Sequence, residues 1–161
     1  MISNVFYLFF LIVSVITFED IDLIQQNKGN ILCRTCGIDV SSTNSIFSKS
    51  SSKAHYSFND TLFYKDEVLV QVFSTGVFFQ YPVVSFTYSS CVPTGEWEDS
   101  TSWFPGYLWK PCVCPECGEY VGFVFEPINP GLVQPSKRFY GLILTSLISE
   151  SFLDSLIEYP A

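Results

Sequence analysis

Four of the six cysteines in this chain of 161 residues form two copies of one short pattern. Cys33-x-x-Cys36-Gly37 and Cys114-x-x-Cys117-Gly118 each carry two thiols in one tight stretch, followed by a glycine. A Cys-x-x-Cys turn brings both sulfurs to one side, and the glycine frees the backbone so that amides point at them. Two such turns supply four tetrahedral ligands for Zn²⁺ at Zn–S distances of about 2.3 Å. Because 77 residues separate Cys36 from Cys114, the metal would clasp the start of the domain to its late strands rather than build a local finger. An oxidising compartment offers the same thiols another chemistry, three disulfides. Cys91 and Cys112 fall outside both pairs. A disulfide between them, a catalytic thiol and a buried free thiol are all open to them. Little is at hand to activate a nucleophile, since the single histidine, His55, is distant in sequence and Lys110 is the only base nearby.

The second chemistry is aromatic. Phe104-Pro105-Gly106-Tyr107 has Pro and Gly where a type II turn needs them, which sets Trp103 and Trp109 on the two arms of the turn. In the strand that follows, Phe123 and Phe125 fall on one face, because strand side chains alternate. Four converging rings can hold a small, flat, partly polar ligand, with turn amides as donors, or a cation over their faces. They can equally well fill a core under the metal. Asn59-Asp60-Thr61 is a glycosylation sequon in a predicted loop. Glu96, Glu98 and Asp99 precede the ring turn and read as a solvated loop rather than an acid/base pair.

The elements that must carry these groups are mostly strands. Aromatic residues make 17% of the chain, a β-rich composition, and its length allows one domain with a sizeable core. The formal charge of −8, with no Lys/Arg cluster, argues against a nucleic-acid partner. Glu67–Phe73 alternates as a strand and is joined through Ser74-Thr75-Gly76 to Val77–Tyr88, where Pro82 demands an edge or a bulge. Tyr120–Phe125 and Phe139–Leu147 are further β-type runs, and Ser41–Ser52 reads as loops around a short strand. Only Ser149–Glu158 has helical spacing, with Ser149 as its N-cap. The apolar run Val5–Phe18 has the length of a secretory leader rather than of a membrane span, although an uncleaved anchor or a buried element also fits. The expected organisation is a signal peptide over 1–17, a linker over 18–27, a β domain over 28–149 and a short helix or tail over 150–161. That chain would be extracytoplasmic and free of the membrane once the leader is cut.

In order and spacing, these pieces resemble the CULT domain, the thalidomide-binding domain of cereblon and of stand-alone secreted proteins. The matching residues are Leu32-Cys33-x-x-Cys36, Ile46-Phe47-Ser48, Ser102-Trp103-Phe104-Pro105-Gly106-Tyr107-x-Trp109, Cys114-x-x-Cys117, Gly122-x-x-Phe125 and Lys137-x-Phe139-x-Gly141-Leu142. The resemblance implies a β-tent of two antiparallel sheets pinned by a four-cysteine zinc site. It also implies a non-enzymatic aromatic cage for a cyclic imide of glutarimide or uracil type. Carried over by position, the cage would be Trp103, Trp109, Phe123 and Phe125, met by Thr101 and Ser102, with Asn59 at its mouth. Phe123 stands where the family has its third tryptophan, and Thr101 where it has a histidine. The protease-like domain and adaptor-binding segment of cereblon have no counterpart in this sequence, so no ubiquitin-ligase receptor role is expected of it alone. Two rival expectations are a methionine sulfoxide reductase B-like enzyme, which needs a reactive cysteine on a late strand, and a disulfide-rich extracellular interaction domain.

Overall fold

The computed structural model describes residues 29–75, 79–99, 103–129, 131, 137–150 and 152. Within them the chain forms two antiparallel sheets. The smaller has three strands in the order β11-β1-β2, with β1 at Asn30–Cys33, β2 at Asp39–Ser42 and β11 at Leu147–Ser149. The larger contains β3 (Tyr56–Leu62), β4 (Lys65–Thr75), β5 (Phe79–Phe86), β6 (Val92–Pro93), β7 (Glu98–Asp99), β8 (Tyr107–Val113), β9 (Tyr120–Pro127) and β10 (Phe139–Ile143). Its order is β3-β4-β5-β10-β9-β8-β6, and β7 also pairs with β8.

Both faces of the large sheet are apolar, and alternation along its strands sends residues to two different cores. One core holds Ile31, Val40, Val68, Val70, Val84, Phe86, Leu142 and Leu147 together with Cys33, Cys91, Cys112 and Cys114. It joins the two sheets. The other is almost entirely aromatic: Phe73, Trp103, Phe104, Tyr107, Phe123, Phe125 and Phe139, with Val83 and Ile143. Gln71 lies in β4 with 1% of its surface exposed and is fully used. It accepts from the Ser51 backbone N–H at 2.6 Å and donates through Nε2 to the Lys49 carbonyl at 2.8 Å. A buried amide that is satisfied in this way ties a loop to the sheet. Ser51 Oγ in turn donates to the Trp103 carbonyl, so the loop is also fastened to the aromatic core.

Three expectations take a more specific form. Pro82 pairs with Val72, and it lies one residue beyond Val83, the last β5 residue matched to β10. It therefore has a free side where its missing N–H costs nothing, although β5 as a whole is interior. The run Phe139–Leu147 is divided: β10 ends at Ile143, a 3₁₀ turn spans Leu144–Ser146, and β11 crosses to the small sheet. A uniform apolar run hides such a change of sheet. The Asn59 sequon lies on the edge strand β3 rather than in a loop. That hairpin escapes sequence reading because its turn residues are Phe63 and Tyr64, at φ 52° and 60°, where Asn-Gly is the usual signal. Ser149 Oγ does accept from the Phe152 N–H at 3.3 Å, the expected N-cap contact. Gly76–Phe78, the leader and linker, and all of the tail but Glu150 and Phe152 lie outside the described residues.

The centre of the large sheet depends on close backbone approach. A Cβ on Gly122 would lie 2.3 Å from the Gly141 carbonyl oxygen, and one on Gly141 would lie 3.0 Å from both Phe125 and Val83. Gly122↔Leu142 and Gly141↔Phe123 are paired in the β9–β10 register, so neither strand can yield alone. Gly122→Ala is expected to lower unfolding stability by about 2–4 kcal/mol, at the upper end of overpacking costs. Chemical denaturation checks this, and an unchanged midpoint would contradict the tight approach.

Candidate functional site

The two cysteine turns have the same construction. In the first, the Gly37 N–H donates to the Cys33 carbonyl at 2.8 Å and the Cys33 N–H to the Ile38 carbonyl at 2.8 Å. In the second, the Gly118 N–H donates to the Cys114 carbonyl at 3.0 Å and the Cys114 N–H to the Glu119 carbonyl at 2.7 Å. Gly37 and Gly118 sit at φ 78° and 72°, a left-handed region that a side chain would strain. One turn leaves β1 of the small sheet and the other leaves β8 of the large one, so the four sulfurs meet where the sheets meet.

Their Sγ atoms all lie within 4.8 Å of one another, with Cys33–Cys117 at 3.8 Å and Cys36–Cys114 at 3.5 Å. Tetrahedral coordination at about 2.3 Å places sulfurs ~3.8 Å apart, so the set has the size of a Zn²⁺ cage. Burial opposes ionisation of Cys114, but the amides of Cys117 and Glu116 outweigh it and draw the thiol down to about 7. The Glu119 amide favours the Cys117 thiolate, yet burial and the three neighbouring sulfurs push that thiol up to about 12. Four crowded thiols cannot all ionise by themselves; a bound cation removes that conflict. Cys33 and Cys114 are buried, while Cys36 and Cys117 are exposed. The remaining pair, Cys91 and Cys112, forms a disulfide with Cα atoms 5.6 Å apart. Both of its residues belong to the core between the sheets. Among the described residues this is the one disulfide, with the other four cysteines free.

The ring site lies on the opposite face of the large sheet. Its turn is of type II, as expected. Gly106 has φ 87°, and the Tyr107 N–H donates to the Phe104 carbonyl at 3.2 Å. Phe123 is the hub. Its centroid is 4.5 Å from Trp103 at 68° and 4.9 Å from Trp109 at 75°, both edge-on. The two indoles flank Phe123 without forming a ring pair with each other. Trp103 is stacked on Phe73 at 4.6 Å and 14°, and Trp109 Nε1 donates to the Asp99 carbonyl at 3.1 Å. Phe125 is fully buried behind them, stacked on Phe139 at 4.8 Å, with its centroid 6.3 Å from Phe123. Trp109 alone of the four is partly exposed.

Of the residues expected at this site, the structure thus brings together Trp103, Trp109, Phe123 and Phe125. Thr101 and Ser102 lie outside the described residues. Asn59 is exposed on β3, where its Nδ2 donates to Glu67 Oε2 at 2.8 Å, and it touches none of these rings. Sequence reasoning missed Phe73, Tyr81 and Tyr120. Phe73 was legible as the next inward position of its strand. Tyr81 was not, because only the register Phe73↔Tyr81 shows that β5 returns it to the rings. The third tryptophan, Trp97, is engaged elsewhere, under Lys110 Nζ at 4.9 Å.

No family model matches the chain. Among curated proteins, 54 of its residues, 34% of the chain, are 41% identical to Protein cereblon of Drosophila pseudoobscura pseudoobscura, covering 8% of that protein. Over 132 residues, 82% of the chain, it is 27% identical to Protein cereblon of Drosophila virilis, covering 18% of that protein. The Drosophila melanogaster cereblon is 39% identical over 54 residues, 9% of its length. The chain therefore spans less than a fifth of the length of these relatives. Its sequence is similar to cereblon over most of its length, and its two antiparallel sheets and four-cysteine cluster are consistent with a CULT-type domain.

Proposed function

We propose that this chain is a secreted, zinc-stabilised, non-enzymatic binding domain whose ring site takes a small cyclic imide or a related flat ligand. The observation that carries the reading is Phe123 meeting two indoles edge-on, with Trp109 partly exposed beside it. A flat ring with polar edges suits a cluster of this kind, because aromatic faces can cover it while polar groups meet its rim. The four sulfurs, spaced for tetrahedral Zn²⁺, would hold the two sheets together when metal is bound. Cys33, Cys36, Cys114 and Cys117 are its ligands in this reading. The rival reductase chemistry needs a reactive cysteine on a late strand; β10 and β11 carry none, and Cys112 on β8 is in the disulfide.

Secretion rests on the apolar leader-like run Val5–Phe18 and agrees with the disulfide, since such bonds persist in oxidising compartments. The exposed Asn59 is then open to glycosylation. A ubiquitin-ligase role is no part of this proposal.

Metal analysis of the purified chain is expected to give about one zinc per molecule. The double substitution Cys36→Ser, Cys117→Ser should abolish that content and unfold the domain near room temperature; a metal-free, folded wild type would refute the assignment. For the ring site, titration with glutarimide while following tryptophan fluorescence should give a saturable change. Trp109→Ala should weaken it by more than tenfold, and a wild type with no saturable change would end the imide reading. Expression through a secretory pathway should add a glycan mass that Asn59→Gln removes. Identical masses for the two proteins would show the sequon to be unused.

A further inference from the structure

Two tyrosines that the ring site has not yet used stand at its Phe123 wall. Tyr81 lies on β5, opposite Phe73 in register, and its ring is 6.3 Å from Trp103 and 6.5 Å from Phe123. Tyr120 opens β9 and meets Phe123 edge-on at 5.4 Å and 89°. Both are half-buried. Among the described residues neither hydroxyl has a hydrogen-bond partner. Neither hydroxyl is among the buried polar atoms that lack a partner, so both are accessible from outside the cluster. Burial first, and then the proximity of Tyr81, pushes the Tyr120 phenol above its ordinary range, so it keeps its proton and remains a donor. Phe123 itself offers no polar edge. An indole in its place would carry one N–H, and the two phenols supply donors on the same wall.

We propose that Tyr81 and Tyr120 are ligand-contacting, specificity-determining residues of the ring site, offering their hydroxyls to a hydrogen-bond acceptor on the ligand edge that faces Phe123. The ligand class this selects is a flat ring with acceptor groups on more than one edge, one for the turn amides and one for the phenols. A purely apolar ring would offer neither hydroxyl a partner. This inference rests on the imide-site reading above.

The test uses the full chain in its metal-bound form, with glutarimide as the probe and tryptophan fluorescence as the signal. Tyr81→Phe and Tyr120→Phe keep the rings and remove only the hydroxyls, so folding should be retained. Each is expected to raise the dissociation constant for glutarimide roughly three- to tenfold, the range for one net hydrogen bond, with melting temperature and zinc content unchanged. Tyr64→Phe serves as the control, since Tyr64 is 60% exposed on the distant hairpin turn. Wild-type binding with unchanged constants in both tyrosine variants would overturn the inference and leave the imide site standing. Loss of affinity matched by an equal loss in melting temperature would also overturn it, by showing a packing role. No binding by the wild type would bring down both readings.

Discussion

The fold depends on one meeting of four sulfurs. Cys33 and Cys36 leave the small sheet, Cys114 and Cys117 leave the large one, and their Sγ atoms gather within 4.8 Å. The separation in sequence makes this a long-range closure, which costs chain entropy that grows only slowly with loop length. Two further contacts serve the same closure. β11 pairs with β1, with Leu147 opposite Cys33, and so brings the late chain back to the early turn. The Cys91–Cys112 disulfide fastens β8 two residues before the second cysteine turn begins. All of these lie on the face of the large sheet turned toward the small one, so that face is closed by a disulfide and a cluster of four thiols as well as by apolar burial.

The opposite face is closed differently, and this difference explains how a ring site can exist there. Among the described residues no second sheet covers it. The type II turn and the loop held by Gln71 and Ser51 lie over it instead. A sheet face covered only by loops must rely on large side chains, which accounts for the concentration of Phe, Tyr and Trp on this side. Edge-to-face contacts dominate around Phe123, Phe104 and Phe139, the geometry that aromatic quadrupoles prefer. Lys49 contributes a cation 4.7 Å from Tyr107 and 5.2 Å from Phe139, at the closed end of the cluster.

Local chemistry was the legible part of this protein. Both cysteine turns could be read with their glycines, and so could the type II turn with Pro105 and Gly106, because each depends on adjacent residues. What depends on register could not be read. The strand β8 hid behind its turn and Pro111. The hairpin at Phe63–Tyr64 adopts left-handed backbone without the residues that announce it. The bulge in the β8–β9 register, where Cys112 faces Gly122 but Val113 faces Tyr120, moves Val121 to the inter-sheet core while Phe123 faces the rings. Strand alternation placed Phe123 and Phe125 on one face but could not foresee that shift one turn earlier.

That bulge also bears on whether the rings form a core or a site. In a simple core each ring would be enclosed by its neighbours on all sides, with polar atoms absent or paired. Trp103 satisfies this through Phe73, and Phe125 through Phe139. Trp109, Tyr81 and Tyr120 do not, since each keeps part of its surface exposed. Trp109 is partly exposed and held by its indole N–H on the Asp99 carbonyl, which fixes the ring without covering its face. The bulge at Val121 lets Tyr120 approach Phe123 from the same strand, while Tyr81 arrives from β5, and both hydroxyls come without partners in the described structure. The inner half of the cluster is thus packed as a core is packed. The outer half consists of three partly exposed rings, Trp109, Tyr81 and Tyr120, set around the buried Phe123.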